Sequence, residues 1–120
     1  MPFRILLVDD SGSFRHAARA LLEGEGQDVV GVAATVTEAI ARAEQLRPAV
    51  ALVDITLAAE SGFELARRLA ELDPAPAVIL ISTHAEEDFA DLIAESPAIG
   101  FLPKSELSAE AVLRLLDGAG

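Results

Sequence analysis

Five polar residues stand where hydrophobic runs stop. Asp9 and Asp10 close Phe3-Arg4-Ile5-Leu6-Leu7-Val8, Asp54 closes Val50-Ala51-Leu52-Val53, Ser82 closes Val78-Ile79-Leu80-Ile81, and Lys104 follows Ile99-Gly100-Phe101-Leu102. Three carboxylates brought together repel by about 4 kcal/mol per pair at an effective dielectric near 20. Such a cluster requires a cation or a shifted pKa. Oxygen ligands without cysteine or a well-placed histidine point to Mg²⁺, with Mn²⁺ the alternative, rather than zinc. Asp54 is the candidate nucleophile, because a carboxylate can attack phosphorus and hold the phosphoryl group as an acyl phosphate. Lys104 supplies counter-charge to phosphoryl oxygens, and the Ser82 hydroxyl can donate a hydrogen bond to the same group. That hydroxyl can also move toward a new phosphoryl group and carry its loop along.

Taken one at a time these residues have ordinary readings. An Asp pair after a strand caps a helix, a serine does the same, and a lysine in a loop is solvated. Their weight comes from where the chain must place them. Each run reads as a buried strand of roughly Phe3–Val8, Val50–Val53, Ala77–Ile81 or Ile99–Leu102, with a further strand at Asp28–Val32. Helical patterns alternate with these strands. Phe14, Ala17, Ala18, Leu21 and Leu22 form one apolar stripe, which stops at Glu23-Gly24-Glu25-Gly26. Thr35 with Glu38, Ser61 with Glu64, and Thr83 with Glu86 have capping-box spacing and predict three more helix starts. Ser108 predicts a last helix carrying Val112, Leu115 and Leu116.

Alternating strands and helices imply a parallel sheet covered on both faces. Right-handed crossovers leave few topologies, among which periodicity alone does not choose. The expected fold is α/β, a flavodoxin-like doubly wound five-stranded sheet, with the order 2-1-3-4-5 taken from those topologies. Strands one and three then meet at the switch point, where such sheets bind ligands beyond their carboxyl ends. That order sets Asp9, Asp10 and Asp54 side by side.

The chain has 120 residues and is expected to form one domain over residues 1–120. No cysteine is present, so disulfides and thiolate chemistry are excluded. The net charge of −11 argues against direct binding of nucleic acid. No run approaches a membrane span, and no signal peptide is apparent.

Leu-Leu-Val-Asp-Asp, Leu-Val-Asp-Ile-Thr-Leu with Ser-Gly-Phe-Glu-Leu downstream, Val-Ile-Leu-Ile-Ser and Gly-Phe-Leu-Pro-Lys occur in that order. Together they resemble the receiver domain of two-component response regulators, over nearly the whole chain. The resemblance implies a phosphorylation-driven switch in the cytoplasm. It would accept its phosphoryl group from a sensor histidine kinase or histidine phosphotransfer protein, and would be no enzyme beyond its own modification. Asp54 would be the acceptor. Asp10 would bind Mg²⁺ directly, Asp9 mostly through water, and the Thr56 carbonyl would complete the ligands. Ser82 and Phe101 would be the switch pair, the ring turning inward as Ser82 moves, and Thr56 and His84 would tune the kinetics. Helix four, strand five and helix five would form the responsive face and the surface for a phosphorylation-dependent homodimer. The ending Gly-Phe-Leu-Pro-Lys-Ser-Glu-Leu resembles receivers that precede a DNA-binding output domain. His16 reads as a solvated helix residue.

Some positions depart from the family pattern. Ala58-Ala59 replaces the usual Pro-Gly, which predicts a more flexible loop. Pro103 precedes Lys104 and Ser105 follows it, so the usual cis Lys-Pro bond is replaced by a trans peptide. Thr83 stands where a small alanine is common. The rival readings are an aspartyl-phosphate phosphatase, which wants Asp-x-Asp and a cap domain, and a receiver-like interaction module that is never phosphorylated.

Overall fold

The computed structural model describes residues 2–57, 60–84 and 86–119. Five parallel strands form the sheet: β1 (Arg4–Val8), β2 (Asp28–Ala33), β3 (Val50–Asp54), β4 (Ala77–Ser82) and β5 (Gly100–Pro103). Their order is β2-β1-β3-β4-β5, the expected doubly wound order. The helices are α1 (Gly12–Gly24), α2 (Val36–Leu46), α3 (Gly62–Ala70), α4 (Ala90–Glu95) and α5 (Ala109–Ala119).

Alternation along the strands divides the core. Ile5, Leu7, Val50, Leu52, Ile79, Ile81 and Leu102 share one cluster with Ala18 and Leu22 of α1 and Val112 of α5. Leu6, Val8, Ala51, Val53, Val78, Leu80 and Phe101 share the other with α2 and α3 residues such as Ala39, Leu65 and Leu69. Strands buried on both faces need apolar residues at every position, which is why they read as unbroken runs. Polar residues can enter only where a strand leaves the sandwich.

Local hydrogen bonds set the helix starts. Thr35 Oγ1 accepts the Glu38 N–H (3.1 Å) while the Glu38 carboxylate accepts the Ala34 N–H (2.8 Å). Ser61 Oγ accepts from Phe63 and Glu64, and Ser108 Oγ accepts from Ala111. Glu25, just past α1, accepts the Ala109 N–H at 2.9 Å and ties the start of α5 to the end of α1.

Two expectations are corrected and one unforeseen element is added. Thr83 and Glu86 do not open the fourth helix. Thr83 is exposed in a bend, Glu86–Asp88 is a 3₁₀ turn, and α4 starts at Ala90 without a side-chain cap. Ser82 Oγ instead accepts the His84 N–H at 3.0 Å, a turn that competes with helix initiation. On α1 the apolar stripe is narrower than its spacing implies, because Ala17 and Leu21 are exposed. After β3 the chain adds an antiparallel ribbon, Thr56–Leu57 against Glu60–Ser61, that strand periodicity does not reveal. Its tip, Ala58-Ala59, lies outside the described residues.

Candidate functional site

The site forms where β1 and β3 end together. The two strands pair in parallel through Val8 and Val53, so the next residues, Asp9 and Asp54, emerge at the same level. β4 lies on the other side of β3, with Ile81 opposite Asp54. Ligand atoms from Asp9, Asp10 and Asp54 all lie within 4.8 Å of one another. Asp9 is fully buried and Asp54 is 6% exposed, whereas Asp10 faces solvent.

Lys104 reaches into this group from the 3₁₀ turn after β5. Its Nζ lies 2.6 Å from Asp9 Oδ2 and 3.4 Å from Asp54 Oδ2. Each carboxylate also takes a backbone donor on its other oxygen: Ser11 N–H to Asp9 Oδ1 at 2.8 Å, and Thr56 N–H to Asp54 Oδ1 at 3.1 Å. Asp9 Oδ2 is buried and takes no backbone donor; its one close partner is the Lys104 ammonium at 2.6 Å. It has a charge partner but spare acceptor capacity. Three carboxylates against one ammonium leave two negative charges uncompensated when all are ionised. A hard divalent cation would offset the excess charge and use the spare acceptor capacity of Asp9 Oδ2, so the residues fit Mg²⁺.

The electrostatics are those of a strained anion pair. Burial raises the Asp54 pKa above its ordinary 3.8, and the Asp9 charge adds to the rise; the Thr56 N–H and Lys104 oppose it. For Lys104 burial acts to lower the pKa from 10.5, but the contacts with Asp9 and Asp54 outweigh it and hold the ammonium above that value.

The remaining expected residues border this centre. Ser82, 2% exposed, ends β4, and its hydroxyl faces His84 Nδ1 at 3.4 Å. His84 is exposed and lies edge-on to Phe89, with ring centroids 5.8 Å apart. Thr56 is exposed at the mouth and contributes its N–H to Asp54. Phe101 is 7% exposed and already packed in the core cluster on the α2–α3 side. Pro103 pairs with Ser82 at the end of the edge strand, where the missing N–H is tolerated. Asp73–Pro74 is the one cis peptide among the described residues, so Lys104–Ser105 is trans as expected.

Two residues matter here without a sequence signal for it. Phe14 reads as one more apolar position of α1, yet its ring lies under Lys104, with Nζ 4.4 Å from the centroid. Gly62 lies in Ser-Gly-Phe-Glu-Leu, where nothing in the local sequence demands glycine. A Cβ on it would stand 2.1 Å from the Asp54 carbonyl oxygen, so α3 can begin this close to the end of β3 only with glycine.

The family model described as the response regulator receiver domain matches residues 5–116. The chain is 31% identical over 110 residues to response regulator GacA of Pseudomonas viridiflava, covering 91% of this chain and 51% of that protein. It is also 31% identical over 130 residues to protein-glutamate methylesterase/protein-glutamine glutaminase 5 of Myxococcus xanthus, covering 99% of this chain and 37% of that protein. The chain thus spans about half or less of the length of these curated relatives. A solved two-component response regulator of the LuxR family from Aurantimonas sp. SI85-9A1 superposes with a TM-score of 0.85 at 31% identity, covering 99% of this chain and 86% of that one.

Proposed function

The chain belongs to the response regulator receiver family, and on that footing we propose that it is a phosphorylation switch whose acceptor is Asp54. One observation carries the reading: Asp9, Asp10 and Asp54 converge within 4.8 Å while Lys104 spans the two buried carboxylates.

The chemistry follows from the groups present. A carboxylate oxygen of Asp54 attacks phosphorus, and the donor's bond to phosphorus breaks as the new O–P bond forms. The donor is a phosphohistidine on a sensor kinase or phosphotransfer protein, or a small acyl phosphate. Thr56 N–H fixes the plane of the carboxylate through Oδ1, and Lys104 stands at Oδ2, placed to take up charge on the phosphoryl oxygens. Burial leaves the Asp54 carboxylate poorly solvated, which favours its attack. Asp9, Asp10, Asp54 and the Thr56 carbonyl would hold Mg²⁺, which neutralises phosphoryl charge when bound.

Ser82 then releases the His84 N–H and donates to the phosphoryl group. Its loop follows, and Phe101, in the core cluster flanked by Phe89 and Ile93, adjusts to the space vacated. The α4–β5–α5 face changes, and the partner or second copy bound there changes with it. Thr56 and His84, both at the mouth, set how readily water reaches the acyl phosphate. A DNA-binding output joined to this domain, and action in the cytoplasm, complete the reading.

Acetyl phosphate with Mg²⁺, followed by intact mass, tests the assignment. The protein gains one phosphoryl group and Asp54→Asn gains none. Wild-type labelling of that variant, or hydrolytic turnover of phosphate esters, would overturn it.

A further inference from the structure

We propose that Phe14 is a positioning residue for Lys104: the face of its ring holds the ammonium against the two buried carboxylates, within reach of Asp54. The proposal deepens the phosphoacceptor reading and rests on it for its kinetic consequence.

Lys104 is the chain's single lysine, carried on a flexible four-carbon stem. Its ammonium meets Asp9 Oδ2 at 2.6 Å, Asp54 Oδ2 at 3.4 Å and the Phe14 ring centroid at 4.4 Å. The side chain is only 13% exposed. A cation within about 6 Å of a ring centroid and over its face is attracted by the ring quadrupole.

The ring is well placed to act as a fixed surface. Phe14 lies in the first turn of α1, its N–H donating to Ser11 Oγ at 3.3 Å. Its side chain packs against the cluster of Ile5, Leu7 and Leu107. Asp9 is the nearer carboxylate, so charge attraction alone draws the lysine toward β1 rather than toward the acceptor. Without the ring, water reaches the third side of the ammonium. Both ion pairs then weaken in the higher dielectric, and the long stem is free to leave Asp54. An aliphatic residue would fill the volume but offer no quadrupole.

The test uses the full chain carrying lysine labelled with ¹³C, which gives one ε-methylene signal because there is one lysine. That signal is expected upfield of free lysine in the wild type, from the ring current. It moves to the free position in Phe14→Leu and stays upfield in Phe14→Tyr. In parallel, labelling by saturating acetyl phosphate with Mg²⁺ transfers the phosphoryl group to an Asp54 oxygen, with acetate leaving. Phe14→Leu is expected to slow this about fivefold, and Phe14→Tyr to remain within about twofold of wild type. An unshifted ε-methylene signal in the wild type overturns the proposal, and needs no variant to fold. Equal slowing in the leucine and tyrosine variants also overturns it, because only packing would then matter, as does wild-type speed in Phe14→Leu. If the wild type takes up no phosphoryl group, the acceptor reading fails, while the ε-methylene signal still decides the Phe14–Lys104 relationship.

Discussion

Gly62 lies directly beneath Asp54: a methyl group on its Cα would stand 2.1 Å from the Asp54 carbonyl oxygen and 2.8 Å from the Ile55 Cα. Its own N–H donates to the Ile55 carbonyl at 2.8 Å. The start of α3 is thereby locked to the end of β3. Gly62→Ala must force these backbones apart. A loss of about 2–3 kcal/mol is expected in urea unfolding, toward the upper end for overpacking because both clashing partners are backbone. The site should loosen with it, read as weaker stabilisation by Mg²⁺.

Lys104 is the only cation in contact with the two buried carboxylates among the described residues. Lys104→Met leaves both charges without a partner. The variant is expected to lose about 3 kcal/mol at neutral pH in EDTA, the usual cost of breaking a buried pair by removing one member. Millimolar Mg²⁺ should return part of that loss, because it binds the native carboxylates and not the unfolded chain. Chemical denaturation with and without the metal checks both halves.

Charge removal on the acidic side has the opposite sign. Asp54→Asn relieves a poorly solvated carboxylate beside Asp9 while Lys104 keeps its closer partner. The apo protein is expected to gain on the order of 1 kcal/mol. Asp10→Asn should gain less, because Asp10 faces solvent and its repulsion is screened. Asp10→Asn is nevertheless expected to lose most of the Mg²⁺ response. Thermal melts of the three proteins, with EDTA and with Mg²⁺, separate these effects.

The pH dependence follows from the direction of the Asp54 shift. Its folded pKa is raised above 3.8, so between that value and the raised one the native state binds more protons than the unfolded chain. The native state therefore loses stability as pH rises through the window. The advantage of Asp54→Asn over wild type should be small near about pH 4 and larger near about pH 8 in EDTA. The raised Lys104 pKa has its own signature. Its stabilisation is present below 10.5 and lost as pH climbs through the higher folded value. Melts across this range in wild type and Lys104→Met, which lacks the alkaline loss, test it.

Beryllofluoride, a phosphoryl mimic, should shift amide NMR signals of wild type through residues 86–107. In Ser82→Ala the shifts should stay near the site, because the hydroxyl proposed to carry the β4–α4 loop is gone. Equal spread in both proteins would remove Ser82 from the switch.

The strands, and the polar groups that close four of them, could be read directly from the sequence; the strand order was a choice among the few topologies that right-handed crossovers allow, and the tertiary structure decided it. Buried parallel strands must be apolar throughout, so the first charged residue marks where each leaves the sandwich, and parallel pairing puts all those ends on one side. Thr35, Ser61 and Ser108 were legible as caps because a cap bond spans two or three residues. Thr83 misled for a local and a tertiary reason: Ser82 formed a competing turn with the His84 N–H, and α4, with no buried residue, had little packing to extend it. Packing alone decided that Asp9 is enclosed while its neighbour Asp10 is exposed. It also brought Phe14 beneath Lys104 and pressed Gly62 against Asp54. These contacts join residues distant in sequence, and their distances depend on how helices seat on the sheet. Local periodicity reports which face of an element is apolar, but not what that face will touch.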